Sequence, residues 1–85
     1  MAVAPGRVLD VSSWQWWKLR EAVLKRDRLT CRYCGAKPER HSPMECDHVL
    51  PLAQGGRTAL ENLVAACRPC NRSKGARSAA QWKRP

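Results

Sequence analysis

The chain has 85 residues, which is enough for one small domain but too few to bury an extensive apolar core without a disulfide framework or a structural metal. Sixteen Lys and Arg residues against seven Asp and Glu residues give a formal net charge of +9, which favours a polyanionic partner such as nucleic acid. No run approaches the roughly 18 apolar residues of a membrane span, so we expect no membrane partner. The first residues also lack the apolar stretch of a secretory signal. We therefore expect a cytoplasmic location (the host cytoplasm for a phage-encoded chain), where cysteine clusters usually hold metal rather than form disulfides.

The N-terminal part of the chain predicts an arm followed by a helix. Residues 1–12 lack hydrophobic periodicity and contain a Pro-Gly pair, so we predict a flexible arm before a single domain over residues 13–85. Ser12 and Gln15 have the spacing of a capping box, which predicts the start of an amphipathic helix over about residues 13–28. The apolar side of this helix includes Trp16, Leu19, Ala22 and Val23, widened by Trp14 and Trp17. We expect the tryptophans to pack in the core rather than to stack on bases.

The rest of the chain predicts a hairpin and a second helix. Residues 29–43 are polar and contain Gly and Pro, as is typical of a loop. Residues 44–50 predict a short strand, and residues 60–66 predict a second strand or an extended return, so the two segments would form a hairpin with a wide loop. A final helix is predicted over about residues 69–82, with Gly75 weakening it by roughly 1 kcal/mol relative to Ala.

Two Cys-x-x-Cys pairs are the strongest single signal in the sequence, namely Cys31 with Cys34 and Cys67 with Cys70. Paired cysteines at this spacing deliver the four tetrahedral thiolate ligands that structural Zn²⁺ prefers. A rubredoxin-like iron site is the alternative, because four cysteines also suit iron. We expect the metal to hold the fold rather than to perform chemistry. Cys46 is the odd cysteine, and we predict that it packs as a small apolar residue.

A second group of residues lies between and just after the cysteine pairs, and it consists of Asp47, His48, Asn62, Asn71 and Lys74. Each residue alone is common in turns, strands and loops. Together with the cysteines, the stretch 31–75 resembles the HNH nuclease family, in the variant whose motif begins with Asp and ends with Asn. The matching segments are Cys31-x-x-Cys34, Cys46-Asp47-His48-Val49-Leu50-Pro51-Leu52, Gly55-Gly56, Glu61-Asn62-Leu63-Val64 and Cys67-x-x-Cys70-Asn71-x-x-Lys74-Gly75.

This resemblance implies a small α+β fold with a ββα-metal (His-Me finger) core, in which a helix crosses a hairpin. The core would be stabilised by the four-cysteine zinc and preceded by the amphipathic helix, so that residues 13–85 form one HNH nuclease domain. The resemblance further implies that Asp47 and Asn71 bind one catalytic divalent ion, that His48 is the general base, and that Asn62 braces the hairpin loop. Where many relatives have His, this chain has Asn71, a neutral oxygen ligand that favours Mg²⁺ or Mn²⁺.

The predicted function is a metal-dependent endonuclease or nickase that hydrolyses phosphodiester bonds in DNA. Two alternatives stay open: a zinc-stabilised DNA-binding module without catalysis, and a ribonuclease. Basic side chains around the last helix are expected to contact phosphates, which gives affinity but little sequence preference. These side chains are Arg68, Arg72, Lys74 and Arg77. The sequence predicts no particular protein partner.

The role implied for His48 has one structural consequence for the hairpin. Neighbours on a regular strand point to opposite faces, yet Asp47 and His48 would serve one scissile phosphate. We therefore expect the first strand to bend or end at His48. The other histidine, His41, lies in a polar loop and is expected to be solvated.

Overall fold

The computed structural model describes residues 10–83, so the predicted arm lies outside the described residues except for its last three positions. The elements in chain order are α1 (Ser13–Arg26), β1 (Glu45–His48), β2 (Leu63–Ala66), α2 (Arg68–Lys74) and α3 (Ala79–Trp82). Short 3-10 turns over Leu52–Gln54 and Leu60–Asn62 lie in the connection between the two strands. The predicted small α+β fold with a ββα core is confirmed by this order.

Helix α1 begins as the sequence predicts and ends slightly earlier. The Gln15 backbone N–H donates to the Ser12 hydroxyl over 3.1 Å, and the Ser12 N–H donates to the Gln15 side chain over 2.9 Å. The helix ends at Arg26 because Arg28 and Leu29 both adopt positive φ angles, 55° and 52°, which a right-handed helix does not accommodate.

The tryptophans of α1 do not form the core that the sequence predicts. Trp14 is 65% exposed and Trp17 is 48% exposed, and their rings stack on each other with centroids 5.6 Å apart. Val23 and Leu24 are the buried residues of the helix. The expectation that all three tryptophans pack in the core is therefore wrong for Trp14 and Trp17, whereas Trp16 is partly buried against the hairpin.

The hairpin of β1 and β2 is antiparallel and carries the buried centre of the domain. Its register pairs Glu45 with Ala66 and His48 with Leu63. Helix α1 packs on the hairpin, and α2 packs against β1. The apolar core joins residues from the helix, the strands and the cysteine pairs: Leu24, Cys31, Met44, Ala65 and Cys67.

A buried carboxylate fixes the end of α1 to the hairpin. Asp27 accepts hydrogen bonds from the Arg26 and Arg32 guanidinium groups and from the Ala65 backbone N–H, at 2.8 to 3.0 Å. The Arg26 bonds, followed by the Ala65 and Arg32 bonds, lower the pKa of Asp27 to about 2 despite its burial. The carboxylate therefore stays ionised and linked to its partners at neutral pH.

The predicted final helix is two helices. Gly75 has φ 57° and ψ −134°, so α2 ends at Lys74 and the prediction of one continuous helix is wrong. Helix α3 then starts with a second capping box, formed by Ser78 and Gln81. None of the helices in residues 10–83 has the length and apolar character of a membrane span.

Candidate active site

The four predicted metal-binding cysteines converge at the base of the hairpin. The sulfurs of Cys31, Cys34, Cys67 and Cys70 all lie within 4.8 Å of one another. The Sγ atoms of Cys34 and Cys67 are 3.6 Å apart, close to the roughly 3.8 Å expected between tetrahedral sulfurs with Zn–S bonds of about 2.3 Å. The cluster could hold a metal ion such as zinc.

The first cysteine pair is shaped by a tight turn. The Gly35 N–H donates to the Cys31 carbonyl oxygen over 2.9 Å, and Gly35 adopts a positive φ of 83°. The Tyr33 N–H points at the Cys31 sulfur from 3.4 Å, which favours a thiolate there. Cys46 lies in β1, apart from this group, and burial raises the pKa of its thiol to about 12, as fits a packing residue.

Asp47 lies on the α2 side of β1 and is 8% exposed. Its Oδ2 accepts a hydrogen bond of 2.8 Å from the Tyr33 hydroxyl and lies 3.0 Å from the Lys74 Nζ. Burial and the Asp47 contact raise the pKa of Tyr33, so its hydroxyl remains a donor. Lys74 is only 1% exposed, and its Nζ also donates to the His48 carbonyl oxygen over 2.7 Å. Lys74 was expected near the phosphate backbone of the substrate. In the structure it is instead buried and forms an ion pair with Asp47.

Strand β1 ends at His48, as expected from the role of this residue beside Asp47, and the His48 ring lies on the α1 side of the hairpin. The imidazole stacks on the Trp16 ring with centroids 5.9 Å apart and planes inclined by 6°. Its Nε2 lies 2.9 Å from the Thr58 hydroxyl oxygen. Burial lowers the pKa of His48, against the opposing effect of the Asp47 and Asp10 carboxylates. The imidazole is therefore neutral at neutral pH and able to accept a proton.

Asp47 and His48 meet at one cavity although their side chains leave the strand on different sides. A cavity of about 250 Å³ lies where β1 ends, and it is lined by both residues and by Lys74. The strand stops at His48 and the chain bends over the next two residues, so a ligand in this cavity could contact both.

Asn62 closes the loop that follows His48. Its amide nitrogen donates to the carbonyl oxygens of Leu50 and Arg57, each over 2.9 Å, and its amide oxygen accepts from the Leu50 N–H over 2.9 Å. All the bonds run to the backbone on both sides of the loop. The side chain therefore has the contacts that a brace for the His48 loop requires.

Asn71 lies on the α2 surface that faces β1. Its amide nitrogen donates to the Glu45 carboxylate over 2.8 Å, which leaves the amide oxygen available as a ligand. Asn71 and Lys74 lie one turn apart on α2, and their partners Glu45 and Asp47 lie two residues apart on β1. Asn71 therefore faces the same surface of β1 as Asp47, and the pair offers the oxygen donors that suit Mg²⁺ or Mn²⁺.

The remaining basic side chains around α2 differ in how far their contacts within the protein leave them available to bind phosphate. Arg68 pairs with Glu45 over 3.1 Å, and Arg77 donates to the Ser73 and Lys74 carbonyl oxygens at the end of α2. Arg72 is exposed. Arg72 is therefore available to contact phosphate, Arg68 and Arg77 are available in part, and Lys74 is not available.

Several residues of the site were not predicted from the sequence. Glu45 could have been found, because it lies two residues before Asp47 and shares its strand face. Tyr33, Trp16, Thr58 and Asp10 reach the site from distant segments, and no local pattern marks them.

Comparison with known proteins gives consistent matches. The family model of HNH endonucleases matches residues 31–77. CRISPR-associated endonuclease Cas9 of Corynebacterium diphtheriae is 44% identical over 64 residues, and the Actinomyces naeslundii protein of the same name is 37% identical over 65 residues. These matches cover 74% and 75% of this chain but only 6% of each relative. The crystal structure of the Type II-C Cas9 enzyme from Actinomyces naeslundii superposes with a TM-score of 0.66 at 35% identity, covering 80% of this chain and 7% of that one.

Proposed function

The chain belongs to the HNH endonuclease family, and we propose that it hydrolyses phosphodiester bonds in DNA in a reaction that requires one divalent metal ion. The family match spans every residue of the predicted motif, from Cys31 to Lys74. The relatives from Corynebacterium diphtheriae and Actinomyces naeslundii are named as endonucleases, which supports the same reaction here.

The observation that carries the proposal is the cavity at the end of β1. A carboxylate and a neutral imidazole from neighbouring positions line the same space of about 250 Å³, and α2 brings the Asn71 amide to the adjoining face. A histidine needed only for packing would not require a buried carboxylate beside it.

His48 is assigned as the general base. In the proposed reaction it takes a proton from a water molecule, whose oxygen forms a bond to phosphorus while the bond to the leaving oxygen breaks. Asp47 and Asn71 would hold Mg²⁺ or Mn²⁺, which when bound supplies positive charge to the phosphate and to the leaving oxygen. Asn62 is assigned to keep the His48 loop in position through its three backbone bonds.

We assign the cysteine cluster to structural Zn²⁺. Four thiolates in a closed tetrahedral set leave no coordination position for a substrate, so this ion would support the fold alone. The net charge of +9 favours a polyanionic substrate such as nucleic acid, and DNA is proposed because the chain matches the HNH endonuclease family. The exposed Arg72 and the partly free Arg68 are the side chains of α2 expected to contact phosphates. Such contacts carry little sequence information, so weak sequence preference is expected.

The test is nicking of supercoiled plasmid in the presence of Mg²⁺. The zinc-loaded protein is expected to nick the plasmid, and His48→Ala is expected to lower the rate at least about a hundredfold, because a general base contributes about 10²–10⁴ to the rate. The matched control is His41→Ala, which removes an exposed histidine in the loop before β1 and is expected to leave the rate unchanged.

Equal rates for His48→Ala and the unaltered protein would refute the assignment of the base. Binding of plasmid without any nicking would support a non-catalytic module instead. The same assay on RNA of matched length separates a deoxyribonuclease from a ribonuclease, because cleavage of RNA alone would overturn DNA as the substrate.

A further inference from the structure

A second cavity, also of about 250 Å³, is lined by the first cysteine pair's turn and by the C-terminal helix. We call it the Tyr33–Trp82 cavity. Its lining residues are Arg32, Tyr33, Ala79, Trp82 and Lys83. The cavity thus combines two aromatic rings with two cationic side chains, and no carboxylate from residues 10–83 lines it. Nothing in the proposed hydrolysis requires such a combination beside the cysteine cluster.

The two aromatic rings form a corner. Tyr33 and Trp82 have ring centroids 5.1 Å apart and planes inclined by 80°, so the edge of one ring meets the face of the other. Hydrogen bonds at their far ends hold both side chains: the Trp82 indole N–H donates to the Ser73 hydroxyl over 3.1 Å, and the Tyr33 hydroxyl donates to Asp47 over 2.8 Å. A flat ligand could stack on one ring while touching the other, as nucleobases do on aromatic side chains.

The positive charge around this corner is not cancelled within the protein. The Arg32 side chain is 54% exposed, and its Nη1 contacts Asp27 over 2.8 Å. Asp27 also pairs with Arg26, so two cations share one carboxylate and a net positive charge remains. The guanidinium of Arg32 has further N–H donors, and Lys83 is exposed. Both side chains can therefore bind an anion such as a phosphate group.

Tyr33 connects the Tyr33–Trp82 cavity to the candidate active site. Its ring lines the cavity, whereas its hydroxyl donates to Asp47. Ala79, which also lines the cavity, donates its backbone N–H to the Val49 carbonyl oxygen over 2.9 Å, one residue after His48. The cavity therefore adjoins the chain segment that carries Asp47 and His48. A ligand bound in it would lie beside the phosphate that these two residues are proposed to attack.

We propose that the Tyr33–Trp82 cavity binds one unpaired nucleotide of a DNA strand, with its base in the aromatic corner and its phosphate at Arg32 and Lys83. The base must be unpaired, because in a duplex its faces are covered by the neighbouring bases and its edge by the partner base. The position of this nucleotide beside the scissile phosphate rests on the proposed function. Binding itself does not, so it can be tested without the divalent ion and without cleavage.

The first test is the affinity of the full zinc-loaded chain for a single strand of about twelve thymidine nucleotides, measured by fluorescence anisotropy without added divalent ion. Trp82→Leu keeps an apolar side chain that cannot stack, so it is expected to weaken binding about tenfold or more. Its affinity for a duplex of the same length should be unchanged. The matched control is Trp14→Leu, because Trp14 is an exposed tryptophan that does not line the cavity, and its affinity for the single strand should be unchanged.

The second test compares the same strand with an abasic strand, which keeps the phosphates and lacks the bases. Loss of the bases should weaken binding of the unaltered protein about tenfold or more. For Trp82→Leu the same change should cost no more than about threefold, because the two alterations remove one shared interaction.

The phosphate contact is tested by Lys83→Met. This variant should bind both strands more weakly by the same factor, and the slope of log affinity against log salt should become shallower by about 0.7, as expected for the loss of one phosphate contact. Lys25→Met makes the same exchange at an exposed position of α1 outside the cavity, and it should leave the slope unchanged.

Equal losses for Trp82→Leu and Trp14→Leu, or for the single strand and the duplex, would overturn the proposal. A uridine strand that binds more tightly than the thymidine strand, with the same dependence on Trp82, would overturn DNA as the source of the nucleotide. If Trp82→Leu does not retain zinc and the helical circular dichroism signal, Lys83→Met decides, and an unchanged affinity and slope would refute the site. Single-strand binding that depends on Trp82 without any nicking of plasmid would count against the proposed function and leave the nucleotide site standing.

Discussion

Lys74 shows how far the surroundings of a residue can depart from its sequence pattern. Its charge and its place one turn after Asn71 predict a phosphate contact. In the structure the side chain is 1% exposed, and the ammonium lies 3.0 Å from Asp47 and 2.7 Å from the His48 carbonyl oxygen. A buried ion pair is tolerated when both partners have further hydrogen bonds, as the carbonyl oxygen and the Tyr33 hydroxyl provide here. Lys74 therefore joins α2 to the end of β1 and holds the Asp47 carboxylate in place.

Removing this ammonium is expected to destabilise the fold. Lys74→Met retains most of the side-chain volume but leaves Asp47 as a buried charge without its cation. The free energy of unfolding should fall by about 3 kcal/mol, as measured by chemical denaturation of the zinc-loaded protein. Lys25→Met makes the same exchange on the exposed side of α1 and should change the free energy by no more than about 0.5 kcal/mol. Equal effects of the two substitutions would contradict the role of Lys74.

At the scale of elements, the loop after β1 determines where His48 points. Asn62 binds the backbone at both ends of this loop, and Thr58 reaches back from it to the imidazole. Gly56 lies against the start of the same loop, where a Cβ atom would overlap the Leu50 carbonyl oxygen. The backbone of the loop can follow this path only with glycine at position 56.

The two neighbouring glycines of this loop allow a matched test. Gly56→Ala forces the loop away from Leu50, so it should displace Thr58 and lower the nicking rate about tenfold or more. Gly55→Ala meets no atom within 4 Å and introduces only the strain of a φ near 91°, roughly 1–2 kcal/mol of stability. The rate of the Gly55 variant should stay close to that of the unaltered protein. Similar rates for both variants, measured by plasmid nicking, would show that the loop does not position the site.

The break between α2 and α3 is also decided at this scale. Gly75 ends α2 because it adopts a positive φ that other residues rarely adopt. The sequence predicted only that this glycine would weaken a continuous helix. The sequence contained a usable signal, because Ser78 and Gln81 repeat the capping-box spacing of Ser12 and Gln15. The second capping box marks the start of a new helix, and apolar periodicity alone does not detect it.

For the whole molecule, the cysteine cluster joins the two ends of the hairpin. One pair precedes β1 and the other follows β2, so a metal ion bound there would close the loop between them. The apolar core around it is small and includes two of the cysteines themselves, Cys31 and Cys67. A domain of this size gains much of its stability from such a site.

Removal of this metal is therefore expected to unfold the domain. Elemental analysis should find one zinc per chain, and a chelator selective for zinc over magnesium should abolish the helical circular dichroism signal. Cys67→Ser should lose the metal, whereas Cys46→Ser should retain it, since Cys46 lies outside the cluster. Iron in place of zinc, or a folded domain after complete metal removal, would contradict the assignment.

The sequence by itself determined the α+β class, the start of α1, the four-cysteine cluster and the end of β1 at His48. The start of α1 and the cysteine cluster depend on residues at short, fixed spacings, the Ser12–Gln15 box and the two Cys-x-x-Cys pairs, which act through local geometry. The α+β class and the end of β1 at His48 were expected from the resemblance to the HNH nuclease family. Only the tertiary structure decided that Lys74 is buried, that Trp14 and Trp17 are exposed, and that Thr58 contacts both His48 and Asp10. These contacts join segments up to 48 residues apart, and burial depends on how whole elements pack, which no local spacing encodes.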